Sequence, residues 1–419
     1  MKLETLESRR LLASWLSELP SELRFVSIAQ QSSNDSVCLA YSTADTVGVA
    51  KFVPSSTMYV EVTPIEPDAD FHAPFAVTDA VFRENGDFAM VGSAITERSL
   101  QGGNGEPTLW IDEVANALGL DSTIAGNAGV FNAIHRDGRA VGDDDLMPII
   151  HESGRTSPLP LDEHHVIGAA LDLNDDRVVG FADDEAVAWN RTDGAWTLNV
   201  LEQRDGATFG SANTISDYGI SGGSYQRNED GRTVGVLWTR DGDILREFHS
   251  DDDTVVTHVI DSLAAVRTEH GSQIYNPRDE SLTDVDYFLQ EVGQLDIPNG
   301  PLNLVDLELS GDRKQILVLL ESASGSSRQQ YAASFDVDRL AVSWQHPWNR
   351  YDVNGDGVVT PSDALVVINR LARDPSSELP SGGTRESPYY DVTGDAMVSP
   401  RDALVVINNL EVTSYPMTS

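Results

Sequence analysis

The chain has 419 residues, 40% of them hydrophobic, enough for a sizeable core spread over two or three units or one large all-β fold. Its formal charge of −39, from 67 acidic against 28 basic residues, repels phosphate, so nucleic acid and anionic membrane surfaces are excluded as expected partners. No run of about 18 apolar residues is present, so no membrane-spanning helix is expected, and the single cysteine, Cys38, excludes an intramolecular disulfide.

The acid excess fits divalent cations, solubility in salty water, or both. Lys2, Lys51 and Lys314 are the only lysines. At the N-terminus, residues 3–14 carry the basic pair Arg9-Arg10 without the apolar stretch of an ordinary signal peptide, which reads as an amphipathic helix. The run Leu6-Glu7-Ser8-Arg9-Arg10-Leu11-Leu12 also resembles the Leu-Glu-Pro-Arg leader of planctomycete surface and exported proteins, with Ser8 where that pattern prefers Pro. The resemblance implies export.

From about residue 23 to 343 a weak repeat recurs. Asn85-Gly86-Asp87-Phe88-Ala89-Met90-Val91-Gly92 returns as Asp137-Gly138-Arg139-Ala140-Val141-Gly142 and as Asn174-Asp175-Asp176-Arg177-Val178-Val179-Gly180. Tyr218-Gly219-Ile220-Ser221-Gly222-Gly223 is a looser copy. Each is a turn followed by a short apolar strand ending in Gly. Apolar strand segments follow, containing Trp110, Ile149, Trp189 and Trp238. The outer segments 23–53 and 302–337 fit the grammar less well.

The period, roughly 38 to 50 residues, is that of a propeller blade. At about 45 residues per blade the region holds about seven. The predicted fold is therefore mainly β, a β-propeller-like domain, with a β-sandwich or two smaller β domains as the structural alternative. The repeat resembles the bacterial extracellular HAF repeats, whose core reads roughly Asn-Asp-x-Gly-x-Val-Val-Gly.

The C-terminus is an internal duplication. Residues 351–371 and 390–410 align without a gap, and 15 of 21 positions are identical. Calcium takes six to eight hard oxygens, which a loop of about 12 residues presents at positions 1, 3, 5, 7, 9 and 12. In the first loop these are Asp352, Asn354, Asp356, the carbonyl of Val358, Thr360 and Asp363, with Gly357 at the sharp turn of position 6. In the second they are Asp391, Thr393, Asp395, the carbonyl of Met397, Ser399 and Asp402. Thr393 lacks a carbonyl or carboxylate oxygen, and Ala396 at position 6 resists the left-handed turn by about 1 kcal/mol. Two calcium sites are expected, the second weaker.

A helix is predicted after each loop. Thr360-Pro361-Ser362-Asp363 and Ser399-Pro400-Arg401-Asp402 each place an N-cap, a first-turn proline and an acid. Leu365, Ile368 and Leu371 recur at helical spacing, as do Leu404, Ile407 and Leu410. The Val-Val-Ile runs are weak helix formers, so folding of the module is expected to couple to metal. The paired EF-hand-like loops resemble a type I dockerin, a small all-α module. The approach Trp344-Gln-His-Pro347-Trp348-Asn-Arg-Tyr351 is similar to the lead-in of planctomycete versions. Family members engage cohesins through helix-start residues, often a Ser-Thr pair at loop positions 10 and 11. Here those positions are Pro361-Ser362 and Pro400-Arg401.

No metalloprotease, serine-hydrolase or phosphate-loop motif appears, and no catalytic residue is assigned. Asp162-Glu163-His164-His165 is a polar cluster read as a solvated loop rather than a metal site, and Asp143–Asp145 and Asp251–Asp253 as acidic turns. Trp110, Trp189 and Trp238 are read as core rather than sugar platforms.

The expected organisation is a leader-like segment at 1–22, a β-propeller-like domain at 23–343, a dockerin-like module at 344–412 and a tail at 413–419. The leading expectation is an extracellular or cell-surface protein whose module docks to a cohesin-like or other protein while the propeller presents a binding surface. The alternatives are a polysaccharide-degrading hydrolase or accessory protein, with a polysaccharide as ligand, and a module that packs on its own β domain as a stabiliser.

Overall fold

Short apolar runs punctuated by Gly-, Asp- and Asn-bearing turns produce strands of 4 to 12 residues. A computed structural model of the chain describes residues 15–413, apart from 20, 22, 31–36, 44–45, 53–59, 66–70, 84–87, 97–104, 112–113, 118–128, 296, 298–300, 311–312, 323–328, 338–339, 341–343, 374–377 and 380–387. The leader-like run 6–12, most of the 372–389 connection and the tail after Thr413 lie outside the described residues.

The strands form seven antiparallel four-stranded sheets, the blades of a β-propeller. Blades 1 to 6 span residues 24–65, 71–117, 129–158, 168–200, 208–248 and 255–284, each built from four consecutive strands. Blade 7 takes three strands from the far end (Leu302–Leu309, Gln315–Ser322, Gln330–Asp336) and its outer strand from the near end, Trp15–Glu18. That outer strand pairs antiparallel with Gln330–Asp336, from Trp15 opposite Ser334 to Glu18 opposite Tyr331. Residues 15–18 therefore belong to the propeller, and a start at residue 23 leaves out the strand that closes it.

All seven inner strands carry a β-bulge at the same place in the blade. The register shifts fall at Val26, Thr78, Asn132, Leu171, Asn213, Thr257 and Val305. The residue after the bulge turns toward the next blade. Ser27 Oγ accepts the N–H of Ala80 (3.2 Å), Asp79 that of Ile134 (2.9 Å), Asp172 that of Ile215 (2.8 Å) and Thr214 that of Val259 (3.2 Å). Asp306 accepts from Ile28 (2.7 Å) and so links blade 7 to blade 1. Blade 3 has Ala133 at this position, and there Asn132 Nδ2 donates to the carbonyl of Ala170 (2.9 Å).

The repeated terminal glycine has the same cause. Gly92, Gly142, Gly180 and Gly223 sit on second strands, each opposite the residue just before the bulge. A Cβ there would lie 1.8 to 2.0 Å from a carbonyl oxygen of the inner strand. Trp110, Trp189 and Trp238 sit on third strands at 0–1% exposure, as core. The indole N–H groups of Trp189 and Trp238 donate to the carbonyls of Pro160 and Glu202, both at 2.7 Å.

The inner strands surround a central cavity of about 840 Å³ into which Asp79, Asp172, Asp306 and Glu308 project. Helix α1 (Val285–Glu291) lies between blades 6 and 7, and α2 (Pro361–Arg373) and α3 (Pro400–Thr413) form the C-terminal module. Among the described residues, no helix is long and apolar enough to cross a membrane.

Candidate calcium-binding module and its seat on the propeller

Each loop of the module is closed by the aspartate at position 12. Asp363 accepts the N–H groups of Val353 (2.8 Å) and Asn354 (3.0 Å) with one oxygen, and the N–H (2.8 Å) and hydroxyl (3.3 Å) of Thr360 with the other. Asp402 does the same for Thr393 and Ser399. The acid thereby reaches back to the N-cap residue, as in a capping box, and starts the helix that follows. The position 1 acids hold the turn: Asp352 accepts from Gly355 (2.8 Å), Asp356 (3.2 Å) and Gly357 (2.9 Å), and Asp391 from Gly394, Asp395 and Ala396.

All four of these aspartates are 0–4% exposed. Among the described residues, none has an Arg or Lys at ion-pair distance. Burial, reinforced by Asp363 and Asp356, pushes Asp352 up to about 6 against the opposing N–H from Gly357. A cation would relieve that mutual repulsion, and the donor set is all oxygen, as calcium prefers.

In the present arrangement the acids face backbone N–H groups. Among the described residues, no three acidic, His or Cys side chains converge on a point that could hold a metal ion. Asn354 Nδ2 is bonded to Asp356 (2.8 Å), which in turn accepts from Val358 (3.0 Å). In the second loop Thr393 Oγ1 is turned to Asp402 (2.9 Å), and Asp395 accepts the N–H of Met397 (3.0 Å). Gly357 has φ +82° and Ala396 φ +61°, so the second loop makes the left-handed turn with a Cβ in place.

The two units share a core of Val353, Ala364, Val367, Val392, Val398, Ala403 and Val406. Of the expected helix-face residues Leu371 packs against this core, but the buried stripe otherwise runs one residue off, through Ala364, Val367, Ala403 and Val406. Leu365, Ile368, Leu404 and Ile407 are 54%, 44%, 54% and 39% exposed. Small Ala and β-branched Val let the two helices approach closely, and the longer side chains are left on the outside.

The lead-in attaches the module to the propeller. Trp348 is 7% exposed and packs with Ile220, Leu237, Phe248, Val256 and Tyr275 of blades 5 and 6. The His346 ring lies edge-on between Tyr218 of blade 5 and Tyr389 of the module, 4.9 Å from each, and the two tyrosine hydroxyls meet at 3.2 Å. Burial, aided by Arg278, pushes His346 down to about 3, so it is neutral. Arg240 of blade 5 donates to the carbonyl of Asp356 (3.4 Å) and is itself held by Asp176.

These anchors were not singled out in the sequence beyond the lead-in, because a lone His, Tyr or Arg in a turn carries no period. The His164-His165 cluster is an ion-pair site: His165 bridges Asp162 (2.7 Å) and Glu185 (2.9 Å). Asp145 makes a hairpin turn with φ +57°, and Asp253 accepts the N–H of Thr233 (2.8 Å).

A family profile, the dockerin type I domain, matches residues 350–411. No curated protein matches the chain. Among solved structures, the chain is similar to the Dos1 propeller, with TM-score 0.45 and 9% identity over 78% of this chain and 96% of that one. It is also similar to Saccharomyces cerevisiae Sqt1, with TM-score 0.42 and 10% identity over 78% of this chain and 98% of the other. The β-propeller domain of Myceliophteria thermophila Cps50 (Swd1) gives TM-score 0.47 and 11% identity over 76% and 99%.

Proposed function

Proceeding from the type I dockerin domain at residues 350–411, we propose that this is an extracellular or cell-surface protein whose C-terminal module binds two calcium ions and docks, and whose propeller presents a binding surface. Type I dockerin domains bind calcium and dock to cohesins. The observation that carries the reading is the pair of buried aspartates in each loop, Asp352 with Asp363 and Asp391 with Asp402, which have no cationic side chain to balance them among the described residues. The ligands would be Asp352, Asn354, Asp356, the Val358 carbonyl, Thr360 and Asp363 in the first site. In the second they would be Asp391, Thr393, Asp395, the Met397 carbonyl, Ser399 and Asp402.

Calcium titration of the whole chain by calorimetry tests this, together with binding to a panel of cohesin domains with and without chelator. One tight and one weak calcium site, with docking lost in chelator, is the expected result. Absence of heat at millimolar calcium would remove the reading.

A specific observation favours a second role for the same module. Trp348 and His346 are buried against blades 5 and 6, which supports intramolecular stabilisation of the propeller alongside any outside partner. The hydrolase reading has weaker support. Of Asp79, Asp172, Asp306 and Glu308 in the cavity, the three aspartates each accept a backbone N–H of a neighbouring blade, which suits a structural role.

A further inference from the structure

We propose that the turn face of blade 5 is part of the first calcium site, so that calcium binding at that loop and seating of the dockerin domain on the propeller are linked, with His346 and Arg240 as positioning residues. The inference rests on the reading that the loop binds calcium.

The two loops are near copies, yet among the described residues only the first has a hydrogen bond to the propeller. A Cβ on Gly357 would lie 2.6 Å from the carbonyl oxygen of Tyr218 and 3.0 Å from Arg240. The glycine is therefore required twice, by its φ of +82° and by the propeller, whereas its counterpart Ala396 carries a Cβ. The second loop is held within the module, by Gln345 Nε2 on the carbonyl of Val392 (3.1 Å). Arg240 grips the Asp356 carbonyl, on the peptide between ligand positions 5 and 7, and Asp176 fixes Arg240 from the propeller side.

His346 completes the connection. Its Nδ1 accepts the N–H groups of Trp348 (3.3 Å) and Asn349 (3.1 Å), so the proton of the neutral ring is on Nε2. That Nε2 is buried without a hydrogen-bond partner and stands 4.0 Å from Asp352 Oδ2, the position 1 oxygen. The His346 side chain is 2% exposed and is clasped by Tyr218. A shift of Asp352 onto an ion is thus transmitted to a ring that packs on the propeller. Linkage then requires reciprocity: whatever calcium does for seating, seating does for calcium.

The test combines calcium calorimetry with hydrogen exchange on the whole chain. Calcium should slow exchange in the blade 5 turns around 216–220 and 239–243 as well as in the loop. Arg240→Ala should weaken the first site at least about five-fold, the low end of allosteric coupling, and leave the second unchanged, with Arg240→Lys recovering part of the loss. If Arg240→Ala does not fold, the exchange measurement on the unaltered chain decides alone. Two calcium sites with no protection of the blade 5 turns and an unchanged first-site affinity would overturn the coupling and spare the calcium reading. No calcium heat at all would overturn both.

Discussion

Asp306 Oδ2 accepts the backbone N–H of Ile28 at 2.7 Å, joining the last blade to the first across 278 residues of chain. Its other oxygen accepts the N–H of Leu307 (2.8 Å), so one carboxylate satisfies two buried donors at the seam. Asp306→Ala leaves both without an acceptor, at about 1–3 kcal/mol each. The expected loss is roughly 2–6 kcal/mol, read by urea unfolding, with Asp306→Asn losing less. Equal losses for the two variants would mean that the acceptor role is not what matters.

Gly180 and Gly154 should respond differently to alanine. At Gly180 the new Cβ would lie 2.0 Å from the Ala169 carbonyl oxygen, and backbone cannot yield, so a loss of about 3 kcal/mol or more is expected. At Gly154, φ is +75° but nothing lies within 4 Å, so the loss should be about 1 kcal/mol. Similar midpoint shifts for the two would refute the close-approach account of the repeated glycine.

The channel carboxylates make a pH prediction. Burial, with a contribution from Asp79, pushes Asp172 up to about 7 in the folded protein. A raised acid holds its proton in the native state while the unfolded chain has released it, so its stabilisation is complete below about pH 4 and is lost as pH rises to about 7. Asp172→Asn removes that dependence. Its stability relative to the parent should climb by up to roughly 1.4 kcal/mol per pH unit between those limits, then level off. The comparison, made in chelator, isolates this group from His258, which burial pushes down to about 4 and which acts in the opposite sense. A pH-independent difference would place Asp172 in an ordinary aspartate environment.

In the second loop of the module, Ala396→Gly relieves the left-handed turn at φ +61°. A gain of about 1 kcal/mol corresponds to roughly five-fold tighter binding at that site. Calorimetry that finds the second site already as tight as the first would contradict the ranking of the two loops.

Trp348→Ala should lower the melting temperature of the propeller itself, since the indole fills a hydrophobic cluster of blades 5 and 6. Loss of a buried tryptophan typically costs about 3–5 kcal/mol. An unchanged propeller transition would show that the lead-in rests on the blades without supporting them.

Much of this architecture was legible because its physical causes are local. The repeat ending in Gly is visible in blades 2 to 5, where the glycine faces the bulge. Blades 1, 6 and 7 have Tyr41, Val266 and Leu320 opposite the same bulge, so their signal is weaker, and blade 6 carried no recognisable motif. The outer strand Trp15–Glu18 is four residues long, and its partner lies more than 300 residues away, so no local pattern announces it. The two loops of the module could be located from the sequence because the spacing of their oxygen-bearing residues is a sequence property, and the dockerin type I profile covers both. The buried helix face could not: Val367 and Val406 rather than Ile368 and Ile407 meet the partner helix because of tertiary packing. His346, Tyr218 and Arg240 come together only once the propeller has formed.

The shared seventh blade also sets an order of events in time. The strand Trp15–Glu18 precedes the other described propeller strands in the chain, but its partner, Gln330–Asp336, follows them all, so the two are synthesised at opposite ends of the propeller's emergence. Until that segment emerges, two strand edges wait unpaired, open to pairing with other chains. Ring closure is therefore a late, long-range step, and a chain stalled or cut between blades 6 and 7 would be left as an open arc with both edges exposed.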